Sequence, residues 1–164
     1  MTLLLSTLST PIGSLNLIAD EHILLAANLS NLKALKESLS QEDSERDVKN
    51  VSRIPIITDL ISDYFEGDIA ALNAISVRQP GAHFSQEAWK AMKKVKAGKV
   101  ISYGELAERA GSPAAVRAAG SACAKNAIVL IVPCHRIVKT GGALGNYAYG
   151  LDKKAWLLRH EGAL

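Results

Sequence analysis

The chain has 164 residues, 48% of them hydrophobic, enough for one domain or two small ones around a real core. Its two cysteines, Cys123 and Cys134, are too few for a disulfide framework or a cysteine-rich zinc site, and its four histidines show no metal-ligand spacing. The net charge of +3 is uneven: residues 1–82 hold six Lys/Arg against eleven Asp/Glu, and residues 83–164 hold thirteen against five, so the second half suits a polyanionic partner or a solvated lysine surface.

The apolar N-terminus lacks a basic leader and runs into the turn Thr10-Pro11-Ile12-Gly13, so it reads as a first strand, not a signal peptide. No apolar run approaches the roughly 18 residues of a membrane span. Residues 3–8, 15–19 and 23–28 carry strand patterns, and 32–39 a short helix with apolar positions at 32, 35 and 39. The polar stretch 41–50 predicts a loop. Pro55 suits a first helical turn, and Ile57, Leu60, Ile61, Tyr64 and Phe65 predict an amphipathic helix ending at Gly67. Residues 72–77 predict a strand.

In the basic half a helix is expected from Phe84, with Phe84, Ala88, Trp89, Met92 and Val95 on one face and Gly98 at its end. Ser102-Tyr103-Gly104-Glu105 is a capping box for a helix reaching Ala110. Gly111 breaks it, and Ser112-Pro113 is expected to cap and start a second helix over 113–125, with Asn126 left-handed at its end. Two short helices across a tight turn form a helix-turn-helix, whose second helix usually enters a DNA groove. Here that helix is nearly all small residues, which would let backbone approach phosphates closely. Its one long side chain before Lys125 is Arg117, which could enter a duplex, take a phosphate or simply be exposed.

Residues 128–131 form an apolar run that predicts a short buried strand, stopped by Pro133. Cys134-His135-Arg136 then sets a thiol beside two basic side chains, which would raise its thiolate fraction. Gly145–Gly150 is a loop holding Tyr147 and Tyr149, able to wall a flat ligand or to pack on the core. A last helix over 152–161 is expected to bury Trp156 and Leu157. Glu161 at its end faces an unfavourable helix dipole, which predicts a partner such as a histidine.

Pro133-Cys134-His135-Arg136, with Ser102-Tyr103-Gly104, Val116-Arg117-Ala118, Asn126, Gly145-Asn146-Tyr147 and Trp156-Leu157-Leu158-x-His160-Glu161-Gly162, resembles the O6-alkylguanine-DNA alkyltransferases, or methylated-DNA–protein-cysteine methyltransferases. The match is dense over 84–162. The resemblance implies an α/β fold: a small N-terminal α/β structural domain over 1–82, and a mainly helical C-terminal domain over 83–164 with a helix-turn-helix and a short active-site strand. It implies a DNA repair protein that flips O6-alkylguanine, mainly O6-methylguanine, out of double-stranded DNA and transfers the alkyl group irreversibly to Cys134, once per molecule. It gives His135 the role of a base acting through water, oriented by Glu161, and makes Tyr103 a phosphate contact and proton donor and Arg117 the finger that fills the vacated stack. Ala115, Ala118, Ser121 and Lys125 join Arg117 and Tyr103 at the DNA. Asn126, Ile137, Tyr147, Ala148 and Tyr149 line the guanine pocket. No cofactor, metal or membrane is implied, and a cytoplasmic monomer is expected.

Ala148 stands where a hydroxyl residue is often found, and Tyr149 where many relatives have glycine. An inward Tyr149 would narrow the pocket over the alkyl group; an outward one would stack on DNA or cover the rim. Three other classes compete. A non-catalytic lesion binder would replace Cys134. A thiol hydrolase would need a dyad that adjacent residues rarely form. A sequence-specific regulator would need base-reading side chains that 113–125 lacks.

Overall fold

A computed structural model of the chain describes residues 2–164. Strands β1 (Leu3–Thr10), β2 (Gly13–Asp20) and β3 (Ile23–Asn28) form an antiparallel meander. Register explains its buried polar residues. Thr7 pairs with Asn16 and Asn16 with Asn28, so Thr7 Oγ1 donates to Asn16 Oδ1 at 2.8 Å and Asn16 Nδ2 to Asn28 Oδ1 at 3.0 Å. Helix α1 (Leu32–Glu37) is capped by Asn31, whose side chain accepts from Ala34 N. It lays Leu35 against Leu3, Leu5, Ile18, Leu25 and Ala26 in the core.

The segment 41–50 is not a loop. It forms α2 (Gln41–Ser44), with Ser40 as its cap, and β4 (Val48–Asn50), which runs parallel to β1. Ion pairs hold this polar stretch. Arg46 forks onto Asp20 at 2.9 and 3.1 Å and meets Asp43 at 3.1 Å, while Arg78 reaches Asp43 at 2.8 Å. Burial opposes ionisation of Asp43, but the bonds from Arg46, Arg78 and Ser40 outweigh it and hold its carboxyl below the ordinary range.

Helix α3 (Ile57–Phe65) forms as expected, with Ile57, Ile61 and Tyr64 buried and Gly67 left-handed beyond its end. The strand expected over 72–77 is instead a 3₁₀ turn at Ala71–Ala74 followed by the two-residue β5 (Ser76–Val77). It completes a five-stranded sheet in the order β4-β1-β2-β3-β5. These elements belong to one compact unit, Met1–Pro80 with Ala127–Ile131; the second is Gly81–Asn126 with Val132–Leu164.

Residues 128–131 are fully buried but not a strand. Ile128 makes a single bridge to Ala27, and Leu130 then turns the chain with φ 76°. Hydrophobicity reports burial, and periodicity alone cannot separate a buried strand from a buried turn in a run this short.

In the second unit α4 (His83–Lys93) buries Ala88, Trp89, Ala91 and Met92. It stops at Lys93, before the expected Gly98. Strand β6 (Ile101–Ser102) leads into α5 (Tyr103–Arg109), where Ser102 accepts from Glu105 N as the capping box predicts. Gly111, with φ 96°, supplies the left-handed residue of the helix-turn-helix. Pro113 does not open the next helix. Residues 113–115 make a turn closed by Ala115 N donating to Ser112 O at 2.9 Å, and α6 (Val116–Ala124) begins after it without a side-chain cap.

Helix α6 buries Ala119 and Ala122. The Ala122 carbonyl lies in the last turn, where no intrahelical donor remains, and Trp89 Nε1 supplies one at 2.9 Å. Strand β7 (Ile137–Val138) runs parallel to β6 and follows the turn that carries Cys134, whereas the strand expected before that turn, over 128–131, is reduced to the one bridge at Ile128. Helix α7 (Leu151–His160) buries Ala155, Leu157 and Leu158. Trp156 is half-buried, stacked on His160 at 4.8 Å between ring centroids.

Replacing Trp89 with Phe leaves the buried Ala122 carbonyl without its donor. The folded state should lose about 1–3 kcal/mol, read as a lower urea midpoint; an unchanged midpoint would show that this bond does not tie α4 to α6.

Candidate active site

Cys134, His135 and Arg136 form a single 3₁₀ turn between Pro133 and β7. At three residues per turn the side chains leave in three directions. Cys134 opens onto a cavity of about 630 Å³, and His135 and Arg136 turn to Glu161, which caps the C-terminus of α7.

The Glu161 carboxylate is buried and fully engaged. His135 Nε2 lies 2.8 Å from its Oε2, while Arg136 donates through Nε to Oε1 at 2.8 Å and through Nη2 to Oε2 at 3.0 Å. Arg136 Nη1 donates to Val95 O at 2.7 Å. Burial opposes ionisation, but the bonds from His135 and Arg136 outweigh it and hold the Glu161 carboxyl well below the ordinary range. An ionised carboxylate only accepts, so Nε2 carries the proton. Burial also lowers the His135 pKa, against the pull of Glu161, and keeps the ring neutral. Its lone pair is therefore on Nδ1, which is buried and has no hydrogen-bond partner among the described residues. The partner predicted for Glu161 is a histidine, joined by an arginine.

Burial pushes the Cys134 thiol up, offset in part by Asn126 and by the charge of Lys154. Asn126 Nδ2 lies 3.5 Å from Sγ and donates to Val132 O at 2.8 Å. Asn126 is not left-handed as expected; the amide ties the end of α6 to the thiol segment. The supply of positive charge to the thiol also differs from expectation. Arg136 is neutralised by Glu161 and His135 is uncharged. The cation acting on Cys134 is Lys154, which is fully buried and donates to Ile137 O at 2.6 Å and Asn146 O at 3.0 Å. Its signal was available in helical spacing: Lys154 shares the buried stripe of Leu157, Leu158 and Glu161, where a lysine needs a reason.

Tyr103 begins α5 and also faces the cavity. Burial raises its phenol pKa, so it keeps its proton. Its Oη accepts from Asn146 N at 3.4 Å. Gly145 is required by this approach: φ is 77°, and a Cβ there would stand 2.9 Å from Tyr103 Oη. Tyr147 and Ala148 line the cavity. Tyr149 does not; its ring packs edge-on against Tyr147, with centroids 5.8 Å apart. Ile137 is buried behind the wall with its carbonyl bound to Lys154.

On α6, Arg117, Ala118, Ser121 and Lys125 share the exposed face, and Ala115 is half-buried just before it. Arg117 and Ser121 reach the cavity wall, as does Cys123, whose thiol burial pushes up to about 12. Among the described residues no three His, Cys, Asp or Glu side chains gather to hold a metal ion, and no helix is long and apolar enough to cross a membrane.

A helix-turn-helix beside a buried thiol, with an oriented imidazole on the same turn, defines a nucleic-acid-binding protein with a cysteine at its cavity. The family described as 6-O-methylguanine DNA methyltransferase, DNA binding domain, matches residues 83–163. The methylated-DNA–protein-cysteine methyltransferase of Salmonella typhimurium is 35% identical over 170 residues, covering 100% of this chain and 98% of that protein; that of Methanosarcina acetivorans is 34% identical, covering 94% and 95%. Among solved structures, Mycobacterium tuberculosis OGT in complex with DNA is 30% identical with a TM-score of 0.79, covering 98% of this chain and 93% of that one. The chain belongs to the O6-alkylguanine-DNA alkyltransferase family, stoichiometric DNA repair enzymes that transfer the alkyl group to a cysteine.

Replacing Lys154 with Met removes the cation nearest the thiol without removing its bulk. A rise of one pKa unit would cut the thiolate about tenfold, so alkylation of Cys134 by iodoacetamide, followed by intact mass, should slow by that order at about pH 8. An unchanged rate would show that the Lys154 charge does not reach Sγ.

Proposed function

We propose that Cys134 is the residue of this chain that accepts the alkyl group, mainly methyl, from an O6-alkylguanine flipped out of duplex DNA. The observation that carries this reading is the buried Cys134 thiol at a cavity of about 630 Å³, large enough for a purine with a substituent, walled in part by the small-residue face of α6. A base within a duplex cannot present its O6 substituent in line to a side chain, so the nucleotide rotates out of the stack.

His135 Nδ1 takes the thiol proton through a water molecule. The sulfur attacks the alkyl carbon, the bond from that carbon to O6 breaks, and the electron pair leaves with guanine. Tyr103 supplies a proton to the departing base. The product on the protein is a thioether, a poor leaving group, which accounts for one turnover. Glu161 orients His135, and Asn126 holds the thiol segment. Arg117 fills the vacated stack, and Ala115, Ala118, Ser121 and Lys125 lie along the DNA. Tyr147 and Ala148 contact the guanine; Tyr149 braces Tyr147 and Ile137 backs the pocket. Residues 1–82 serve as the structural domain and 83–164 as the domain of DNA binding and transfer, in a cytoplasmic monomer. A protein of the same fold, 30% identical, has been solved in complex with DNA.

Incubated with duplex DNA carrying O6-methylguanine, the protein should gain one methyl group on Cys134, read by intact and peptide mass. Cys134→Ser should gain none yet still bind DNA; methyl on Cys123 would contradict the assignment. Arg117→Ala should slow reaction with the duplex more than with the free modified base, because only the duplex requires the few kcal/mol of unstacking; equal losses would place Arg117 elsewhere.

The pH profile follows from His135. Its pKa is lowered from 6.5, so the neutral base persists as pH falls through that value and is lost only below it. The transfer rate should hold at pH 6.5 and decline at lower pH; an acid limb centred at or above that value would mean that His135 is not held neutral by burial.

A further inference from the structure

The cavity wall contains two charged residues, Arg117 and Lys139, and no acid. Both are exposed, and neither has an ion-pair partner among the described residues. They come from different elements, Arg117 from the first turn of α6 and Lys139 from the residue after β7. The Lys139 main chain is fixed: its N donates to Ala143 O at 2.9 Å, and its carbonyl accepts from Gly142 N at 3.0 Å. The preceding strand is pinned in turn by Lys154 on Ile137 O. A flexible ammonium thus stands on a rigid base five residues beyond Cys134, at the cavity wall.

A nucleotide rotated about its backbone into the cavity carries its own phosphate with it. Arg117, placed in the duplex, is not available to it. We propose that Lys139 binds the backbone phosphate of the flipped nucleotide and so positions the base over Cys134. This rests on the base-flipping reading above and adds to it a phosphate contact on the thiol side of the cavity, separate from the face of α6.

The test uses the full chain and its Lys139→Gln and Lys139→Arg variants. Binding to duplex DNA carrying O6-methylguanine, with Cys134→Ser present in every form so that no transfer occurs, is followed by fluorescence anisotropy across a salt series. Lys139→Gln should reduce the slope of log affinity against log salt by about 0.9, the loss of one phosphate contact, and weaken binding at low salt by about two- to fivefold. Lys139→Arg should restore both. The Lys139→Gln rate should fall more with methylated duplex than with free O6-methylguanine. An unchanged salt slope, or equal loss of rate on both substrates, would overturn the proposal. The slope is measured without transfer, so failure of the wild type to gain a methyl would count against the transfer reading and leave the Lys139 contact to be judged by the slope.

Discussion

The active half of the molecule depends on one buried carboxylate. Glu161 closes the C-terminus of α7, where the helix dipole disfavours negative charge, and it is shielded from water as well. Removing a carboxylate from water costs several kcal/mol unless its lone pairs are satisfied. His135 and Arg136 satisfy them with contacts of 2.8, 2.8 and 3.0 Å. Because both donors come from the turn that also carries Cys134, fixing Glu161 fixes that turn. The same contact decides where the histidine proton sits, and therefore which nitrogen keeps its lone pair.

Burial leaves Cys134 a thiol in the resting protein, with its pKa raised and Asn126 and Lys154 opposing the rise. A resting thiolate would react with any electrophile that reached the cavity, and a protein that reacts once would be lost to it. Holding the proton until the substrate is in place suits single use. Lys154 joins the thiol turn to the loop after it: one ammonium group binds the carbonyls of Ile137 and Asn146 and lies within electrostatic reach of the sulfur.

Features written in single residues and short spacings were legible in the sequence. The Ser102 cap, the apolar stripe of α3, the first three strands and the helix-turn-helix break at Gly111 are local, and each was readable from chemistry within a few positions. So was the need of Glu161 for a partner, because an acid at a helix C-terminus is locally wrong. Features set by distant contacts were not. The segment 41–50 owes its order to Arg46 and Arg78 meeting Asp20 and Asp43, pairs up to 35 residues apart. The run 128–131 is buried as its composition demands, but only the single available bridge to Ala27 shows why it is not a strand. The charges beside Cys134 were misassigned for the same reason. Adjacency suggested His135 and Arg136, whereas the fold pairs Arg136 with Glu161, keeps His135 neutral by burial and brings Lys154 from the last helix.

The central claim is that burial keeps His135 neutral while Glu161 fixes its proton on Nε2 and leaves its lone pair on Nδ1. The most direct measurement is nitrogen NMR of the protein labelled with ¹⁵N-histidine. His135 should show a protonated Nε2 and an unprotonated Nδ1 at neutral pH and still at about pH 6, below the point at which an ordinary imidazole becomes charged. An imidazolium at neutral pH, or a ring protonated on Nδ1 alone, would contradict the account, because neither form leaves a lone pair on Nδ1.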